Sequence, residues 1–484
     1  MASPQHVLAA PGNDALWTRS ACELGAAFAL REISPVEVLE AVLARHEEVN
    51  PLLNAVVTID REGARQAARA SESRWRNRRP LGPLDGVPLT VKDNIPVRGM
   101  RTTWGSRLLA DYVPQQDELP VARLREQGAL ILGKTNAPEF ALQGYTHNEV
   151  FGTTRNPWDL RLTPGGSSGG AVAAVAAGIG PLAIGTDGGG SIRRPAAHTG
   201  LVGMKPSPGR VARANGLPAI LHDFEAVGAM ARTTADATLL IEAMSGPDAR
   251  DRSSLAHTGD RREEPLGSLR ILYVPAFGAA PVDAEIRASV AAAVRDLAAF
   301  GHDVEEGEAP FDLAAVDRIW GVVGPAGLAW FLSGRPGWEG LVQQNLRSMA
   351  EHGASLRASD YVAALDEVAR LRTEMPRIFA RHQVIVTPAI AALSWAAEET
   401  HPSEIDGRPV GPRGHAVFTA IANVAGLPAL SVPCRPSAAG LPIGAQLVGD
   451  FGSDALLLAL AAQFEQARPW AHRWPTLSDR GSAP

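Results

Sequence analysis

The chain has 484 residues, with 46 Lys+Arg against 52 Asp+Glu for a net charge of −6, and is 45 % hydrophobic and 20 % charged. That balance suits a globular protein and supplies no basic field for nucleic acid or an anionic membrane surface. Only Cys22 and Cys434 occur, far apart and without a CxxC pair, which argues against a disulfide framework or structural zinc and for a reducing compartment.

The N-terminal stretch MASPQHVLAAPGNDALW has no charged segment leading into an apolar run, so no signal peptide and a cytoplasmic location are expected. SPVEVLEAVLARHEEV (34–49) predicts a helix. Ser34 serves as N-cap, Pro35 takes the first position, Glu37 closes a capping box, and Val38, Leu39, Val42 and Leu43 form an apolar stripe. The basic run ESRWRNRRP (72–80) is expected as a solvated helix end. PLTVKDNI (88–95) predicts a short buried strand with Lys92 near its end, VARLREQG (121–128) a helix, and ALILG the next strand. AVAAVAAG predicts a helix and PLAIGT a strand; glycines and Pro181 interrupt this apolar tract of residues 171–186, so it does not span a bilayer.

Residues 246–268 are polar and turn-rich, a surface excursion between two halves. Beyond it come the strand RILYVPAF, a helix over 281–300, and a helix from Ser359 that leads into the strand HQVIVTPAI. The alternation on both sides predicts an α/β fold with a partly parallel sheet, in one intertwined domain over 1–484. The stretch 311–350, with Trp320, Trp330, Phe331 and Trp338, breaks the alternation. A helical cap over a pocket and plain core packing both account for it.

Lys92, Lys134 and Lys205 are the only lysines, so a lysine that persists marks a place where guanidinium would not serve. A buried lysine can lose its proton and an arginine cannot. Two motifs mislead. GALILGKT (128–135) matches the phosphate-loop pattern by letter, but its intervening residues are themselves a strand. GGSSG (165–169) matches the nucleophile elbow, yet Pro157 and Pro164 precede it where an apolar strand is needed, and nearby His198 is expected to be structural. What remains is Lys92 on an apolar strand, Ser167 in a glycine turn, and Ser191 ending the run Gly188, Gly189, Gly190. Glycine backbone N–H groups can converge on a developing oxyanion, and burial would lower a lysine pKa. Two surface turns with an ion-paired Lys92 explain the same residues equally well.

DGVPLTVKDNI, LREQGALILGKTNAPEFA, GTTRNPWDLRLTP and TPGGSSGGAVAAVAAG…PLAIGTDGGGSIRRPAAHTGLVGMKPS together resemble the amidase-signature family. The likeness is strong over about residues 25–235, with the signature core at about 60–235. It returns in NVAGLPALSVPC and GLPIGAQLVG and is weak over 250–415. The resemblance implies the amidase-signature fold, a large twisted mixed β-sheet flanked by helices, with a variable substrate-cap region at about 310–415. It implies a triad: Ser191 as nucleophile, Ser167 as a bridging serine on a cis peptide, and Lys92 as base. It also implies an oxyanion hole from Gly188, Gly189, Gly190 and Ser191. Ser168 would support the turn, Asp187 and Arg193 would brace the loop as an ion pair, and Ala141 and Leu142 would line the pocket. Many members carry Thr or Ser where Gly188 stands, so pocket details transfer less well than the triad.

The expected enzyme is a monomer or homodimer that needs no cofactor or metal and acts on a small-molecule amide, carbamate or ester. The Trp-bearing 311–350 region favours hydrophobic or aryl amides, and the chain is similar in overall look to bacterial aryl carbamate hydrolases (urethanases). The alternatives are the A subunit of a glutamine-dependent amidotransferase and a non-catalytic binding protein on the same scaffold. The complete Lys92, Ser167 and Ser191 set argues against the last.

Overall fold

A computed structural model describes residues 15–257 and 266–477. Near its start, the helix Pro35–Leu53 begins on the Ser34 capping box, with Glu37 N–H donating to Ser34 Oγ and Ser34 N–H to the Glu37 carboxylate. Its apolar stripe, Val38, Leu39, Val42 and Leu43, is buried. The basic run closes the helix Arg61–Arg76, where Arg74 pairs with buried Asp85 and Arg76 stays exposed.

Eleven strands form one mixed sheet. They are β1 (Val56–Ile59), β2 (Pro88–Lys92), β3 (Leu130–Thr135), β4 (Leu182–Asp187), β5 (Val202–Lys205) and β6 (Ala226–Ala231). Beyond the excursion come β7 (Arg270–Tyr273), β8 (Asp303–Glu306), β9 (Val384–Pro388), β10 (Ala429–Pro433) and β11 (Gly444–Gly449). Their spatial order is β1-β3-β2-β4-β6-β5-β10-β11-β9-β7-β8. β3, β2 and β4 run parallel, as do β9, β7 and β8, and the strands between pair antiparallel. Each parallel pair is joined through at least one helix, because a parallel return needs a crossover. Of the excursion at 246–268, residues 258–265 lie outside the described residues; before them Arg252–Ala256 makes a short 3-10 turn capped by Asp251.

The strands that flank the site are buried along their whole length, and the helix Gly169–Ala176 packs against β4 with every residue buried. Parallel pairing of β2 with β4, with Val91 opposite Ile184, brings the carboxyl ends of both strands to the same edge. Lys92 is the last residue of β2 and Asp187 the last of β4. In open α/β sheets, ligand sites lie outside the carboxyl ends of such strands. Among the described residues, no helix is long and apolar enough to cross a membrane.

Candidate active site

All three lysines are buried completely. Lys92 Nζ lies 2.7 Å from Ser167 Oγ, 3.1 Å from Thr186 Oγ1 and 3.3 Å from the Thr186 carbonyl. Burial pushes its amine down to about 7, opposed by the charges of Glu225 and Asp187. These three neighbours suit both protonation states. As an ammonium, Lys92 donates to all three oxygens; as a neutral amine, it donates two N–H to Thr186 and offers its lone pair to the Ser167 O–H. Lys134, the lysine of the false phosphate loop, sits inside β3 and donates to the Ile95 carbonyl and Thr102 Oγ1.

The peptide bond between Gly166 and Ser167 is cis. Ser168 ties the two serine loops together, its N–H donating to the Ser191 carbonyl at 3.1 Å and its Oγ to the Thr186 carbonyl at 3.3 Å. Asp187 and Arg193, both fully buried, form a bidentate pair at 2.8 and 3.0 Å. Every Arg193 N–H is used: Gln446 Oε1 and the Thr419 carbonyl take Nη1, Asn423 Oδ1 and Asp187 take Nη2, and Asp187 takes Nε. Burial works to raise the Asp187 carboxyl, but Arg193, by charge and hydrogen bond, and Asn423 hold it well below the usual carboxylate range.

That carboxylate also changes the expected set of oxyanion donors. Gly190 N–H donates to Asp187 Oδ1 at 2.7 Å, and Ile192 N–H to Oδ2 at 3.1 Å. Gly190 is therefore spent on holding the loop, and Gly188, Gly189 and Ser191 are left of the four. Gly190 has φ of +113°, and a Cβ there would collide with Thr419, so only glycine fits. At Gly188, a Cβ would come 2.6 Å from Leu221 Cδ1. Leu221 fills the space that a Thr or Ser side chain would need.

Ser191 opens onto a cavity of about 930 Å³. Ala141 and Leu142 form part of its wall, with Leu221, Trp320, Leu346 and Met349. Of Trp320, Trp330, Phe331 and Trp338, Trp320 faces this cavity, from the helix Leu313–Ser333. Phe331, on the same helix, packs edge-on against Trp104 and Phe140 in the core; Trp330 points outward and is 61 % exposed; Trp338 is partly buried against the core. His198 is buried against Trp395 with Nε2 on the Ala392 carbonyl, a structural setting. Sequence reasoning missed Thr186, Thr419, Asn423 and Gln446, which hold Lys92, Gly189 or Arg193 in place. Thr186 was within reach, because it immediately precedes the DGGGS run; the other three come from distant segments. Among the described residues, no cluster of His, Cys, Asp and Glu is arranged to hold a metal ion.

The family model for Amidase matches residues 37–458. The A subunit of the glutamyl-tRNA(Gln) amidotransferase of Symbiobacterium thermophilum is 37 % identical, covering 96 % of this chain and 99 % of that protein. A bacterial aryl acylamidase belonging to the amidase signature enzymes has a solved structure that superimposes with a TM-score of 0.86 at 30 % identity, covering 96 % of this chain and 99 % of that one. The structure of 6-aminohexanoate cyclic dimer hydrolase complexed with substrate gives a TM-score of 0.83 at 31 % identity, with the same coverage.

Proposed function

The chain belongs to the Amidase family, whose enzymes act on C–N amide bonds, and we propose that it hydrolyses small hydrophobic or aryl amides through an acyl-enzyme on Ser191. The observation that carries this reading is the 2.7 Å contact between Ser167 Oγ and a buried Lys92 amine held near neutrality, beside the cavity that Ser191 lines. Neutral Lys92 takes the Ser167 proton while Ser167 takes that of Ser191, and Ser191 Oγ attacks the substrate carbonyl. Negative charge then develops on the carbonyl oxygen, and the N–H groups of Gly188, Gly189 and Ser191 stabilise it. The proton returns along the same relay to the leaving amine, and water releases the acyl group by the reverse sequence. Asp187 and Arg193 act indirectly, by fixing the loop that carries these donors.

The apolar wall formed by Leu221, Trp320, Leu346 and Met349 supports a hydrophobic or aryl substrate. Carbamates and esters present the same carbonyl to the same donors, so they are secondary substrates. The likeness to the A subunit of glutamyl-tRNA(Gln) amidotransferase favours a second reading, release of ammonia from glutamine on behalf of partner proteins. A panel of anilide, aryl carbamate, ester and glutamine, run on the purified chain and on Ser191→Ala, separates the two. Anilide turnover that is lost in Ser191→Ala supports the amidase reading; turnover of glutamine alone supports the second. Ser191→Ala with near-native turnover removes Ser191 as nucleophile.

A further inference from the structure

Ser191 shares its cavity with two arginines and a histidine that the proposed reaction does not use. Arg194, three residues beyond Ser191, is 8 % exposed and donates through Nε to the Gly190 carbonyl at 3.3 Å. Among the described residues, no carboxylate pairs with its terminal nitrogens, in contrast to neighbouring Arg193, whose donors are all occupied. Arg413 lies 5.0 Å over the Trp320 ring and likewise has no ion-pair partner among the described residues. Arg413 is exposed to solvent and lines the cavity wall. His415 is 2 % exposed, and neither ring nitrogen has a hydrogen-bond partner among the described residues.

We propose that this cavity selects amides that carry a carboxylate, held by Arg194 and Arg413 with His415 hydrogen-bonded beside it; the assignment rests on Ser191 as the nucleophile. Burial and the repulsion of Arg413 press Arg194 down to about 9. Guanidinium keeps its proton at neutral pH, so the two present positive charge to one cavity, offset only by Asp187, already paired with Arg193, and by Asp317. An anion there relieves both the mutual repulsion and the unmade hydrogen bonds. Burial, then the nearby Arg194 charge, pushes His415 well below its ordinary value, so it is neutral and offers one donor and one acceptor. Asp317 is the acid on the cavity wall, and it is exposed and outside ion-pair distance of either arginine. The apolar wall opposite receives the rest of the molecule, which makes the substrate class an amphiphilic monocarboxylate amide.

Two matched series test this. With the carboxylate on the acyl side, the p-nitroanilide of glutaric acid is compared with its 5-hydroxypentanoyl analogue. With the carboxylate on the amine side, 4-acetamidophenylacetate is compared with 2-(4-acetamidophenyl)ethanol. In at least one series, the carboxylate compound should have the higher kcat/KM by about tenfold or more, the scale of a charge-assisted hydrogen bond, carried mainly by KM. That ratio should shrink toward one in Arg194→Gln and Arg413→Gln and be partly kept in Arg194→Lys. Wild-type preference absent from both series, or unchanged in both glutamine variants, overturns the proposal. Should the variants fold poorly, inhibition of wild type by 4-phenylbutyrate against 4-phenylbutanol decides it: tighter carboxylate inhibition supports the clamp, and equal inhibition overturns it. Calorimetric binding of 4-phenylbutyrate to Ser191→Ala keeps the two readings apart. Tight binding there with hydrolysis intact would remove the nucleophile and leave the clamp; no binding, with hydrolysis abolished, would do the reverse.

Discussion

Replacing Lys92 with Met removes the proposed base and keeps a side chain of similar length in a fully buried position. With the amine at about 7, roughly nine-tenths of Lys92 is neutral at pH 8, whereas at an ordinary lysine value about one molecule in three hundred would be. The base form is the deprotonated one, so kcat/KM for an anilide should rise with pH, with a midpoint close to 7, and level off above it. Loss of a positioned general base costs about 10²- to 10⁴-fold. Lys92→Met should therefore fall by that factor and lose the inflection near 7. Its folding cost is small. Ser167 and Thr186 each lose hydrogen bonds worth about 1 kcal/mol, offset because no amine has to be desolvated. The assay is p-nitroaniline release from pH 5.5 to 9.5, with thermal melts of both proteins. Lys205 is the control: it is also buried and pushed down to about 7, but its amine is bonded to the Pro206 carbonyl. Lys205→Met should leave the inflection in place. The reasoning fails if Lys92→Met keeps more than a tenth of wild-type kcat/KM, or if the wild-type profile is flat from pH 5.5.

Burial presses Lys92, Lys134 and Lys205 down to about 7, 8 and 7, so the folded chain sheds these protons well before the unfolded chain does. Between about pH 7 and 9 the unfolded state binds more protons, and the melting temperature should rise with pH; a flat or falling curve contradicts it. Above that window the buried thiol of Cys434, pushed up to about 12, works in the opposite direction. Arg193→Met strands the Asp187 carboxylate in the core and should cost about 3–5 kcal/mol in urea denaturation, with activity lost as the glycine loop slackens; a cost under about 1 kcal/mol would count against the pair. Gly188→Ala meets only the tip of Leu221, which can turn into the cavity it lines, so it should destabilise by less than about 1 kcal/mol. Adding Leu221→Ala should then cost less than it does in wild type, and strict additivity in the cycle would mean the two positions do not touch.

Local features were legible because their causes are local. The Ser34 capping box and the strand–helix alternation need only neighbouring residues, and the glycine runs around Ser167 and Ser191 advertise backbone that a Cβ would not fit. The scarcity of lysine singled out three positions, and burial is what unites them: each sits on a strand with no exposure at all. The misleading phosphate-loop pattern could be set aside on the same ground, since the strand over 130–135 leaves no flexible loop.

Contacts between distant segments were decided by the tertiary structure. Periodicity cannot say which aromatic residue of one helix faces a cavity, and only packing separates Trp320 from Phe331 and Trp330. The spending of Gly190 N–H on Asp187 depends on how the Arg193 pair draws that carboxylate under the loop. Arg194 and Arg413 are 219 positions apart along the chain, yet they meet beside Ser191 because β10 and β5 pair next to β6 and β4 in the sheet order. Side-chain chemistry is written in sequence; which charges share one enclosed space, and which are already paired, is set by strand order and by what the core excludes from water.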